Sequence, residues 1–187
     1  MESEETMSQT YSPAQRALHW AIAAAVVVLV PVGLAMTARG NAGVWDGVTN
    51  ALYSWHKAIG FTVLLAMAAR IVLRLRLGVP AYPQGFPPRF ASFARWFHRL
   101  LYALLVAVPL LGWAGVTAFP ALVTVGGMHL PPLPFVPVDQ ALSKKLFAVH
   151  GTLALALAAL ALVHVAGQVA HVLLWRHPVV ARMWPRG

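Results

Sequence analysis

The chain has 187 residues, 59% of them hydrophobic, with a mean hydropathy of +0.69, which excludes an ordinary soluble domain and marks an integral membrane protein. Fourteen Lys and Arg stand against five acids, but the basic residues sit between apolar runs, as topology signals do, and do not point to nucleic acid. Cysteine is absent, so disulfides, thiolate ligands, iron–sulfur clusters and thioether-attached haem are excluded.

In chain order, residues 1–12 read as a short disordered cytoplasmic tail, acidic through Glu2, Glu4 and Glu5. The tail lacks the basic start of a cleaved signal peptide, so the first span is expected to stay in the protein. Residues 13–187 are expected to form one membrane domain. Span one runs from about Pro13 to Thr37, with Pro31 as a kink, and residues 38–50 form a Gly/Asn loop. Span two runs from about Ala51 to Leu77; the link GVPAYPQGFPP after it reads as irregular. Span three runs from about Phe93 to Phe119 and holds Pro109 and two glycines that permit close helix contact. Residues 120–142 form a Pro-rich loop expected to fold back over the outer mouth, and span four runs from Phe147 to Trp175. Four spans with short links predict an all-α integral membrane protein, an up-down-up-down four-helix bundle.

Orientation follows from the basic residues. With the N-terminus inside, Arg16, Arg70, Arg74, Arg76, Arg89, Arg95, Arg99, Arg176, Arg182 and Arg186 lie on the cytoplasmic side. Only Arg39, Lys57, Lys144 and Lys145 lie outside. Ten against four predicts that both termini are cytoplasmic.

Span four carries His150, His164 and His171, separated by fourteen and seven residues. Those are whole heptads, so the three align on one seam of a left-handed bundle, with Leu157 between the first two. His150 and His164 then lie about 21 Å apart along the axis, at ~1.5 Å per residue. A polar side chain in hydrocarbon normally faces inward, toward a ligand or a partner. By depth, His19 of span one matches His164, and His56 of span two matches His150. Each pair suits an iron held between the two faces of a haem, which favours electron transfer over oxygen binding. His98 competes with His19 for the inner position, whereas His129 and His177 fall in loop and tail. Gly60, Gly151 and Gly167 leave room for a flat macrocycle, and would equally serve tight helix packing. Two ligands per level leave zinc or copper short of their usual set.

The segments A-L-H-W, W-H-K-A-I-G, A-R-x-x-x-R and H-G-T…H-x-x-x-x-x-x-H resemble the bacterial cytochrome b561 family, four-helix di-haem b proteins of the inner membrane. The likeness runs from Ser12 to Trp184. It implies two non-covalent haem b ligated by His19, His56, His150 and His164, and quinone touching His171. By size and layout it is nearest to members that stand alone and oxidise periplasmic superoxide with ubiquinone. The alternative is a cytochrome b subunit that takes electrons from a partner dehydrogenase of hydrogenase, thiosulfate reductase or formate dehydrogenase type.

Three further roles are expected. Arg70, with Arg74 and Arg16, neutralises inner haem propionates, or else these arginines are interface anchors. His171 relays a proton to quinone. Lys57, Lys144 and Lys145 steer superoxide to the outer mouth. A haem-free, histidine-lined transporter and a plain membrane anchor are the remaining rivals; the anchor leaves the paired histidines unexplained.

Overall fold

The structure is a computed structural model describing residues 10–82, 86–174 and 180–184. Trp175, Arg176, His177, Arg186 and the three glutamates of the expected tail lie outside the described residues. Four long helices follow one another: α1 Pro13–Asn41, α2 Gly47–Leu77, α3 Pro88–Ala118 and α4 Gln140–Leu173. Each contains an 18-residue window of mean hydropathy 1.9 or more, and each is long enough to cross a bilayer.

The ends are set by caps rather than by hydropathy. Ser12 and Gln15 form a reciprocal capping box, and Pro13 takes the first helical position of α1. Asp46 caps α2 through the Thr49 N–H, and Asp139 caps α4 through Ala141 and Leu142. Gly78, at φ +72°, closes α2. The third and fourth helices therefore begin five and seven residues before the spans expected at Phe93 and Phe147. Their first turns are too polar for hydropathy to register.

Contacts fix an antiparallel register. Along α1, Gln15 meets Gly78 and Arg70, Ile22 meets Val63 and Met67, Gly33 meets His56, and Arg39 meets Thr49. As α1 ascends, α2 descends. In the same way Phe97 meets His164, Val108 packs with Leu157, and Gly112 meets His150. The bundle is thus up-down-up-down. We call the end holding Gln15, Gly78 and Phe97 the near end and the opposite one the far end.

The molecule is apolar on the outside, with Val27, Leu65, Leu155 and Leu162 all more than half exposed. Such a surface suits lipid and not water. Trp45, Trp55, Trp96 and Trp184 are exposed toward the helix ends, where indoles favour the membrane interface. Inside, Ile22, Val63 and Met67 form one cluster and Leu101, Val108 and Leu157 another.

At the far end the loop after α3 folds back on the bundle. Trp113 Nε1 donates to the Pro131 carbonyl at 2.8 Å, the Leu133 N–H donates to Thr117 Oγ1 at 3.0 Å, and a single β-bridge joins Val123 to His129. The α1–α2 turn is tied by Arg39, which bonds Asp46 at 2.6 Å and Thr49 at 2.8 Å. The Thr49 N–H and then Arg39 pull the Asp46 carboxyl down to about 2. This tie is fully present above the ordinary carboxylate range and is lost only as pH falls toward 2.

Met67 is fully enclosed where α1, α2 and α3 meet. Lipid supplies no hydrophobic drive between helices, so close packing must hold them. We expect Met67→Ala to cost about 2 kcal/mol through the cavity it leaves, read as a lower melting point in detergent. An unchanged melting point contradicts this packing.

Candidate functional site

Two imidazole pairs lie in the bundle, one toward each end. Toward the far end, His56 of α2 faces His150 of α4, with ring centres 6.1 Å apart and planes at 83°. Toward the near end, His19 of α1 faces His164 of α4, with ring centres 6.3 Å apart and planes at 76°. Leu157, midway between the two α4 histidines, is buried against Leu101 and Val108.

The far pair is seated by small residues on the neighbouring helices. A Cβ built on Gly33 would stand 3.1 Å from His56 Cε1, and one on Gly112 would stand 3.1 Å from His150 Cε1. Gly33 follows Pro31 in α1 and Gly112 follows Pro109 in α3. In each helix the proline lacks the N–H of the backbone ladder, and the nearby glycine accepts an imidazole edge. His150 Nδ1 lies 2.8 Å from the Val108 carbonyl. A carbonyl only accepts, so Nδ1 carries the proton and Nε2 keeps its lone pair in the neutral ring. His56 Nδ1 is buried without a hydrogen-bond partner.

Three histidines gather at the near pair. His98 lies 5.2 Å from His164 at 84°, and its Nδ1 donates to the Ala94 carbonyl at 2.5 Å. Phe97 stacks on His164 at 6.4 Å and 11°, and Trp20 meets His19 edge-on at 5.5 Å. Two imidazoles holding one metal from opposite sides, each nitrogen about 2 Å away, have ring centres roughly 6 Å apart. The separations of His19–His164 and His56–His150 meet that figure; His98–His164 is too close.

Among the described residues no three His, Asp or Glu side chains converge on one point, so a tetrahedral metal site is not made. Paired imidazoles suit an iron whose remaining ligands arrive with a macrocycle. A Cβ on Gly60, Gly151 or Gly167 would meet no neighbouring atom within 4 Å, so no packed neighbour holds these positions small. The donor set and the ring spacing fit haem.

Arg70, Arg74, Gln15, Tyr11 and Tyr102 line a shallow cleft at the near end. Arg70 is only 8% exposed. Its Nε donates to the Tyr102 hydroxyl at 2.8 Å and its Nη1 to the Gln15 carbonyl at 2.7 Å. It therefore points inward and is not snorkelling at the interface. Burial pushes the Tyr11 hydroxyl up from its ordinary value, with Arg74 and Arg182 opposing. Arg16 turns elsewhere: its Nη1 donates to the Trp184 carbonyl at 3.1 Å.

His171 sits among aromatics from the start of α3 and the link before it. Phe86 is 5.7 Å away, Phe90 is 6.2 Å away, and Tyr82 stacks on Phe86 at 4.9 Å. The expected lysine cluster is not uniform. Lys144 and Lys145 are exposed in the first turns of α4, whereas Lys57 is half-buried and donates to the Ala121 and Val123 carbonyls of the far loop. His129 is exposed in that loop.

Sequence reading missed Gly33, Tyr102, Phe86 and Phe90, and took Gly112 only as a glycine that permits close helix contact. The two glycines after in-helix prolines were a usable sign; the aromatics of an irregular link gave none.

A family model described as prokaryotic cytochrome b561 matches residues 10–186, and four apolar helices of spanning length agree with it. The chain belongs to the prokaryotic cytochrome b561 family, multi-pass membrane proteins that bind haem b and transfer electrons.

Proposed function

We propose that this chain is a di-haem superoxide oxidase, taking electrons from periplasmic superoxide and delivering them to ubiquinone, with both termini in the cytoplasm of the bacterial inner membrane. The reading rests first on the two imidazole pairs and their ring separations of 6.1 and 6.3 Å. His56 and His150 hold the outer haem; His19 and His164 hold the inner one. His98 stands beside the inner site as a neighbour of His164 and not as a ligand. Arg70 and Arg74 receive inner propionates from the cleft they line, while Arg16 fastens the C-terminal turn through Trp184. When bound, each haem supplies a one-electron redox centre.

The remaining chemistry belongs to side chains. Lys144 and Lys145 give the outer mouth a positive field that draws in a small anion. Lys57 adds its charge there while holding the loop down. Two superoxide anions each release one electron and leave as dioxygen. Ubiquinone gains those two electrons and two cytoplasmic protons to become ubiquinol. His171 binds a quinone carbonyl and hands on protons, since an imidazole both donates and accepts near working pH. Phe86 and Phe90 present flat apolar faces to the quinone ring beside it.

Three outcomes test this reading. His150→Ala is expected to leave one haem per chain by pyridine haemochrome count; retention of both removes the assignment. His171→Ala is expected to keep both haems and slow quinone reduction by ten-fold or more; unaltered quinone kinetics take His171 out of the mechanism. Stopped-flow mixing of superoxide with purified, quinone-loaded protein is expected to reduce haem at a rate that falls with salt, and to fall further in Lys144→Glu/Lys145→Glu. A haem-loaded protein inert to superoxide favours instead a subunit fed by a partner dehydrogenase.

A further inference from the structure

Charge is shared unequally between the two imidazole pairs. At the near pair Arg70 is buried, and its Nη1 donates to the carbonyl of Gln15, one helical turn before His19. Arg74 lies one turn further on, its guanidinium 5.3 Å from the centre of the Tyr102 ring; that of Arg70 is 5.6 Å from it. The partners of Arg70 are neutral, a phenol hydroxyl and a backbone carbonyl. Its Nε and Nη1 are both engaged, but its charge is not cancelled. The described residues hold two carboxylates, Asp46 and Asp139, both at the far end, and Asp46 is already paired with Arg39.

The far pair has no fully buried cation beside it among the described residues; its lysines are exposed or only half-buried. The Val108 carbonyl accepts from His150 Nδ1. Lys57, next in sequence to His56, places its ammonium on the Ala121 and Val123 carbonyls of the loop.

We propose that Arg70, supported by Arg74, makes the near site the stronger electron acceptor of the two, so that an electron given to the far site settles at the near one. This rests on the di-haem reading above. A reduced iron porphyrin carries one positive charge fewer than its oxidised form, so a fixed cation in a poorly screened interior favours reduction. A carbonyl drawing on a ligating imidazole N–H makes that ligand more basic and favours the oxidised form. Both haems bring the same propionates, so pairing these with arginine leaves the asymmetry in place. The bias also opposes the inside-negative membrane potential, which resists inward movement of an electron. Arg70 here is a positioning residue that acts through its field.

The test is a potentiometric titration of the purified, haem-loaded protein, followed at the haem absorption bands. His164→Ala, which removes the near haem, assigns the two potentials. We expect the higher one to belong to the near site. Arg70→Gln is expected to lower that potential alone, cutting the equilibrium preference of a single electron for the near site at least ten-fold. Arg70→Lys restores most of it, and Arg74→Gln lowers the same potential by less. The proposal is overturned if the higher potential belongs to the far site, or if the variants move both potentials together or neither. Should Arg70→Gln fail to load haem, the Arg74→Gln result decides in the same terms. A wild-type preparation that is folded but lacks haem absorption removes the underlying reading instead, so the two failures are distinct.

Discussion

An imidazole within a membrane-spanning helix has no water to turn to, and every polar atom it buries must find a partner inside the protein. The bundle meets this constraint with backbone and with other imidazoles, except at His56 Nδ1, which is buried without a hydrogen-bond partner. His150 and His98 each give one N–H to a carbonyl, and each pair then brings two rings together across the interior with their planes close to perpendicular. Helix α4 supplies one ring to both pairs, so its fourteen-residue spacing fixes how far apart the two sites stand. Leu157 fills the gap with an apolar side chain. The two imidazole pairs are therefore separated by an apolar layer and do not form one polar channel.

The two ends are closed differently. At the far end, Lys57, Trp113 and Thr117 pin the loop after α3 to the bundle. At the near end, Arg70 joins α1, α2 and α3 through Gln15 and Tyr102. The C-terminal turn is held there by Tyr11, Arg16 and Trp20, which donate to the carbonyls of Arg182, Trp184 and Met183. The consequence is electrostatic as well as mechanical. Moving one charge across a membrane potential is worth about 2.3 kcal/mol per 100 mV, and an electron travelling inward must overcome a share of that. On the proposed di-haem reading, the buried Arg70 guanidinium at its destination would offset the opposing field.

Much of this was legible in the sequence. Hydropathy marked four spans, and the heptad spacing of His150, Leu157 and His164 marked an inward seam, because both are properties of a single helix. Depth alone then paired His19 with His164 and His56 with His150, since antiparallel spans of equal length leave little freedom in register. What single-helix patterns do not carry is which small residue lies opposite. Gly33 and Gly112 are ordinary in composition and acquire meaning only when α1 meets α2 and α3 meets α4. Lys57 looked like a free cation because no pattern announces that a loop more than sixty residues later will place two carbonyls on it. The early starts of α3 and α4 lay in Pro88 and Asp139, cap signals that hydropathy passes over.

The account depends on imidazoles from different helices facing one another in each site, with planes close to perpendicular. Electron paramagnetic resonance of the oxidised, haem-loaded protein at low temperature reads that arrangement directly. Perpendicular imidazoles leave the iron orbitals nearly degenerate, so the account predicts two low-spin ferric signals, both strongly anisotropic. A high-spin signal, or a single low-spin signal of one haem per chain, would contradict it.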